Sequence, residues 1–225
     1  PKRPEWAPSY MVRPNYGAPI QFADEDNTDT LDETSTKYKQ RAIGKLLYYG
    51  RAIDNTMFHA INNIATSKNS EKTMKAVKHL LNYAATNPNA TVEYRASDMI
   101  IAAESDAAYL VSPGAKSRAG GIYYLTDKKQ EQFNGAIMVL AKTIKHVMSS
   151  AAEAEMLALF MNAQELIPLR LCLEELGHKQ PPTTIKTDND NSTAMGIANE
   201  TIKQKRSESM GCSRGSSSTR SSICF

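Results

Sequence analysis

The sequence predicts a mixed α/β fold, with strands in one sheet and a small helical subdomain ahead of it. Three observations carry this. Apolar residues recur at helical spacing from Lys37 to about residue 86. Beyond residue 90 the period switches to short β-rich runs broken by glycines. A long helical stretch from Ser150 to about Leu176 then leads into one more apolar run, 183–187. At 225 residues the chain is long enough for one or two small cores.

Residues 1–36 hold Pro1, Pro4, Pro8 and Pro14, then the acidic run Asp24-Glu25-Asp26-Asn27. They read as an extended, disordered arm with three basic and seven acidic residues. The start, Pro1-Lys2-Arg3-Pro4, has neither a Met nor an apolar leader, which predicts a fragment or a processed product and no signal peptide. From Lys37, Ile43, Leu46, Leu47 and Ile53 form one helical stripe. Asp54-Asn55-Thr56 offers a break and a new cap, and Met57, Ile61 and Ile64 resume the spacing. A third helix is expected over Ser70–Ala85, with Met74, Val77, Leu80, Leu81 and Ala84 inward and Asn87-Pro88-Asn89 ending it.

Thr91–Arg95, Asp98–Ala103, Ile122–Leu125 and Ala136–Lys142 read as strands, punctuated by Gly114, Gly120-Gly121 and Gly135. Ser149-Ser150 caps the long helix, Pro168 should kink it and Gly177 ends it. A crossover helix connects parallel neighbours, so the strand Thr183–Thr187 should run parallel to its partner. A short helix over Ala194–Ala198 completes the order, which from Asp98 on is β-β-β-α-β-α. Residues 201–225 contain eight serines, and five basic residues against one acid, and read as a disordered tail.

The net charge of +3 permits a nucleic-acid partner without requiring one. Cys172, Cys212 and Cys224 are odd in number and lack metal-ligand spacing, which predicts a reducing, intracellular compartment, cytoplasmic or nuclear. No apolar run reaches 18 residues, so no membrane partner is expected.

Three acids fall at the ends of the predicted elements. Asp106 lies at or just past a strand end, Glu155 in the first turns of the long helix, and Asp190 between the last strand and the helix that follows. Acids without a paired base suit a hard cation, and three at one place repel unless cations neutralise them. Mg²⁺ or Mn²⁺ is therefore expected. Each acid also has a plainer role, as a helix cap or a partner of the helix dipole. Glu153 and Asp188 compete with Glu155 and Asp190, and on a helix Glu153 and Glu155 point about 200° apart, so only one can face a site. Lys116 and Arg118 are expected in a Gly-containing loop and, with the basic run Lys203, Lys205 and Arg206, are candidates for a phosphate backbone. Tyr48, Tyr49, Tyr123 and Tyr124 read as half-buried packing residues rather than base-stacking platforms. His146, His178 and Trp6 read as surface residues.

Five runs share their order and spacing with a known family. They are Leu46–Ala52 (LLYYGRA), Ser105–Tyr109 (SDAAY), Ser149–Glu155 (SSAAEAE), Asp190–Ala194 (DNSTA) and Lys203–Ser207 (KQKRS). Over about 160 residues, from Leu46 to Arg206, the chain resembles the C-terminal part of copia-type retrotransposon polyproteins, truncated. The resemblance implies the end of a reverse transcriptase region in 1–36, a thumb or connection region in 37–95, and a ribonuclease H-like domain in 96–200. It implies Asp106, Glu155 and Asp190 as catalytic ligands of two Mg²⁺ or Mn²⁺ ions, an RNA–DNA hybrid as substrate, and the rest of the polyprotein as partner. It favours Asp190 over Asp188, since Ala194 lies four residues on. The family continues past Lys-Arg-Ser with a Met-Asp-Met-Arg-like run, a fourth carboxylate and a further strand. Here Met210 is followed by Gly211-Cys212-Ser213, as a shifted reading frame would give. The alternative is therefore a catalytically degenerate remnant, at most a nucleic-acid-binding module. The polymerase palm has no counterpart in this chain.

Overall fold

The computed structural model describes residues 4–10 and 25–187. The chain divides into two compact units, Pro1–Glu93 and Tyr94–Phe225.

The first unit is helical. Helix α1, Glu33–Ala52, begins earlier than the apolar stripe suggested, because Asp32 caps it by accepting from the Ser35 amide at 3.1 Å. Asp54 accepts from the Thr56 amide and opens a single 3-10 turn, Asn55–Met57. Helix α2 follows at Phe58–Thr66, and Ser70 caps α3, Glu71–Thr86. Ile43, Met57, Ile61, Ile64, Val77 and Leu80 bury together between the three helices. A Cβ on Gly50 would meet Ile61 Cδ1 at 2.6 Å, so α1 and α2 meet closely there. Segment 4–10 bonds along α3, with Glu5 N on Thr86 Oγ1 at 3.1 Å and His79 Nε2 on Ala7 O at 2.8 Å. Tyr48 is exposed rather than half-buried, since it lies off the α1 stripe that faces α2 and α3. Trp6 is exposed as expected.

The second unit is a mixed α/β layer of four strands and one covering helix. The strands are β1 (Ile100–Ser112), β2 (Lys116–Thr126), β3 (Ala136–Thr143) and β4 (Ile185–Thr187). Their order across the sheet is β3-β2-β1-β4. β1, β2 and β3 are antiparallel neighbours, whereas β4 joins β1 in parallel after the crossover through α4, Ala151–Glu175.

Several boundaries differ from expectation. Segment 91–95 forms no strand; the Asn134 side chain takes both the Arg95 amide and its carbonyl, at 2.8 and 2.9 Å, in place of a ladder. β1 runs on past Asp106 because its hairpin with β2 closes only at Gly114, which has φ +72°. Gly120 and Gly121 lie inside β2 and not at a break. β4 starts two residues later than expected, since Thr183 is tied to the Arg170 guanidinium of α4 rather than to a strand. The predicted helix over Ala194–Ala198 and the tail lie outside the described residues.

Helix α4 starts at Ser150, whose hydroxyl accepts from the Glu153 amide at 3.2 Å, and continues through Pro168 to Gly177, which has φ +90°. Among the described residues it is the one helix long and apolar enough to cross a membrane. Here it covers the sheet. Ala154, Ala158, Ala163 and Leu166 meet Ile101, Ala103, Ala119, Tyr123 and Leu140 in one core.

Candidate functional site

Alternation along β1 sorts its side chains between two faces. Ala103 and Ala107 join the α4 core and Ser105 bonds to α4, so Glu104 and Asp106 point to the other face. Asp106 sits mid-strand opposite Gly120, not at the strand end that the sequence suggested. It is exposed, and no hydrogen bond or ion pair holds its side chain among the described residues. It caps no helix.

The two helical acids part as geometry requires. Glu153 turns back, and its Oε2 accepts from Ser149 N at 2.7 Å and Ser149 Oγ at 2.6 Å. With Ser150 at the cap this resembles a capping box shifted by one residue, since Glu153 takes the amide before the cap, and it commits Glu153 to the helix start. Glu155 turns toward the sheet, where its Oε1 accepts from the Ala107 amide at 3.2 Å. The helix thus delivers a carboxylate to the peptide unit next to Asp106.

That amide lies on a particular edge. The Ile101 amide bonds to Gln180 Oε1 at 3.0 Å and the Ala103 amide to Thr184 O at 3.4 Å, both on the β4 side of β1. Odd-numbered amides of β1 therefore face β4, and Ser105 and then Ala107 continue that row. The last residue of β4, Thr187, pairs with Ser105. Asp188 and Asp190 are the next acids in sequence after Thr187. Both lie outside the described residues, as do Lys203, Lys205 and Arg206.

Among the described residues no group of three His, Cys, Asp or Glu side chains is gathered closely enough to hold a metal ion. Two members of the expected triad are described, and they fit a hard cation in kind: oxygen donors from neighbouring elements, one of them with no bonded partner among the described residues.

Other candidates take different places. Lys116 is exposed at the first position of β2. Arg118 lies within β2 and not in a loop, because the hairpin ladder continues through Ala108–Arg118. It is 6% exposed, its Nε has no hydrogen-bond partner, and burial lowers its pKa. Tyr123 and Tyr124 are fully buried packing residues on opposite faces of the sheet. Burial raises both phenols, aided by the charge of Glu165 at Tyr123 and of Glu104 at Tyr124. His146 is exposed. A shallow hollow lined by Tyr94, Arg95, Met99, Leu125, Asn134 and Ile137 lies at the other end of the strands from Asp106 and carries no acid.

Two residues near the site went unnoticed in the sequence. Glu104 shares the Asp106 face and accepts from Tyr124 Oη at 3.1 Å. Asn162 is buried between α4 and the sheet. Its signal was legible: an amide on the helical stripe of Ala158, Leu159, Ala163 and Leu166, seven residues after Glu155.

No protein-family model matches the chain, and no curated protein does either.

Proposed function

We propose that the second unit is a ribonuclease H-like domain that hydrolyses the RNA strand of an RNA–DNA hybrid with two divalent cations, Mg²⁺ or Mn²⁺. The contact of Glu155 Oε1 with the Ala107 amide carries this reading, because it brings a helical carboxylate to the peptide unit that follows Asp106 on β1. The topology supports it: three antiparallel strands, a crossover helix and a parallel fourth strand are in keeping with the first part of such a domain. In this reading Asp106, Glu155 and Asp190 hold the ions. The ions would supply an activated water and charge stabilisation for the leaving 3′-oxygen. The chain's own residues hold the hybrid by its backbone and 2′-hydroxyls, since hybrids are recognised by shape. Lys116, Lys203, Lys205 and Arg206 are the proposed backbone contacts; Arg118, buried within β2, is not among them. The first unit would be the thumb or connection region of the same retroelement polyprotein, working inside the cell.

A second reading rests on one sequence observation. After Met210 the expected fourth acid is replaced by Gly211-Cys212-Ser213. A chain so altered binds nucleic acid without cutting it.

One assay separates the two. The purified chain is incubated with labelled hybrid and Mg²⁺ or Mn²⁺, beside Asp106→Asn. Cleavage that falls by about a hundredfold or more in the variant supports the nuclease. Cleavage that survives the substitution overturns it, and metal-independent binding without cleavage selects the second reading.

A further inference from the structure

A buried amide sits between the two acids' supports and has no catalytic reach of its own. Asn162 is 0% exposed. Its Nδ2 lies 2.9 Å from each of Ser105 Oγ of β1, Gly120 O of β2 and Ala158 O of its own helix. Its Oδ1 accepts from Tyr123 Oη at 2.5 Å. The amide's donors and its acceptor are thus used on three different elements. β2 makes room by carrying Gly121, where a Cβ would collide with Asn162 Oδ1.

The spacing connects this node to the acids. Seven residues are close to two helical turns, so Asn162 and Glu155 lie on one stripe of α4, about 10 Å apart along its axis. Ser105 and Ala107 lie on one face of β1, roughly 7 Å apart. The two pairs meet rung by rung, with Asn162 on Ser105 and Glu155 on Ala107. Apolar packing alone lets a helix rotate or slide by small amounts over a sheet. Three directional polar contacts across a dry interface, to Ser105, Gly120 and Tyr123, oppose both motions.

We infer that Asn162 is a positioning residue: by bonding Ser105, Gly120 and Tyr123 it sets the rotation and height of α4 that bring Glu155 to the Ala107 amide beside Asp106. The role of that placement in cleavage rests on the proposed nuclease reading; the placement itself does not.

The test compares three variants of the full chain. Asn162→Leu replaces the amide by an apolar group of similar size, Ser105→Ala removes one of its bonds, and Leu166→Ala is a packing control one turn further along α4. Native-state hydrogen exchange is read at the Ala107 amide, at conditions adjusted to equal global stability. Asn162→Leu is expected to exchange there about tenfold faster than Leu166→Ala. Its kcat on hybrid is expected to fall about tenfold, with KM unchanged. If Asn162→Leu does not fold, Ser105→Ala decides, with about threefold faster exchange expected. Exchange at Ala107 no faster than in the packing control overturns the inference. If the unaltered chain fails to cleave hybrid, the nuclease reading falls and the exchange comparison still decides the role of Asn162.

Discussion

The two faces of the sheet make opposite uses of the same strands. Toward α4, odd-numbered residues of β1 and β2 are small or apolar, and each buried polar group there is tied to a partner, as Ser105 and Tyr123 are to Asn162. On the other face, Glu104, Asp106 and Arg118 bring charge onto the middle of the sheet, and Asp106 lies exposed without a bond among the described residues. One face specifies the geometry and the other presents the chemistry. Glu155 links them, because it starts on the covered side and ends at the strand edge between the two.

This contrast gives graded expectations. The largest effect belongs to the covered face. Leu166→Ala removes a fully buried side chain there and should cost about 2–5 kcal/mol, read from chemical denaturation. A loss well under that range would mean that α4 packs less tightly than described. Next come the paired helical acids. Glu153→Ala should cost about 1 kcal/mol of stability through the cap and leave hybrid cleavage in place. Glu155→Gln should do the reverse, with little change in stability and cleavage reduced about a hundredfold. Equal behaviour of the two variants would erase the distinction drawn between them.

The smallest effect is alkaline. Tyr123 and Tyr124, one on each face, both have folded pKa values raised above the ordinary one near 10, by burial first. Their contribution is full below the unfolded pKa and is lost as pH rises above it. Denaturation midpoints should therefore begin to fall above about pH 10. Tyr123→Phe and Tyr124→Phe should each flatten part of that slope. A slope untouched by both would assign the loss to other groups.

The helices were legible because their signals are local. Ser70 and Ser150 stood before apolar stripes and do cap α3 and α4. The parallel return of β4 followed from the length of the crossover alone. What the sequence hid depended on distant partners. Gly120 and Gly121 look like punctuation until the asparagine from α4 is seen lying against Gly121. Segment 91–95 has strand-forming residues, yet its backbone is claimed by the Asn134 side chain, about forty positions away. Arg118 seemed to belong to a loop because a turn residue, Gly114, lay close before it and the length of the ladder was not visible. Of the acids, Glu155 reaches the Ala107 amide, one residue past Asp106, and Asp106 is set mid-strand. The third acid, Asp190, lies beyond the described residues.

The interlock between Gly121 and Asn162 constrains how this domain can change. A side chain at 121 and an amide at 162 exclude each other, so neither order of replacement is equivalent. A larger residue at 121 is viable only after 162 has shrunk, and shrinking 162 first leaves Tyr123 with only the longer contact to the backbone carbonyl of 162. Any descendant that departs from this pair must cross a less stable intermediate or alter three positions together.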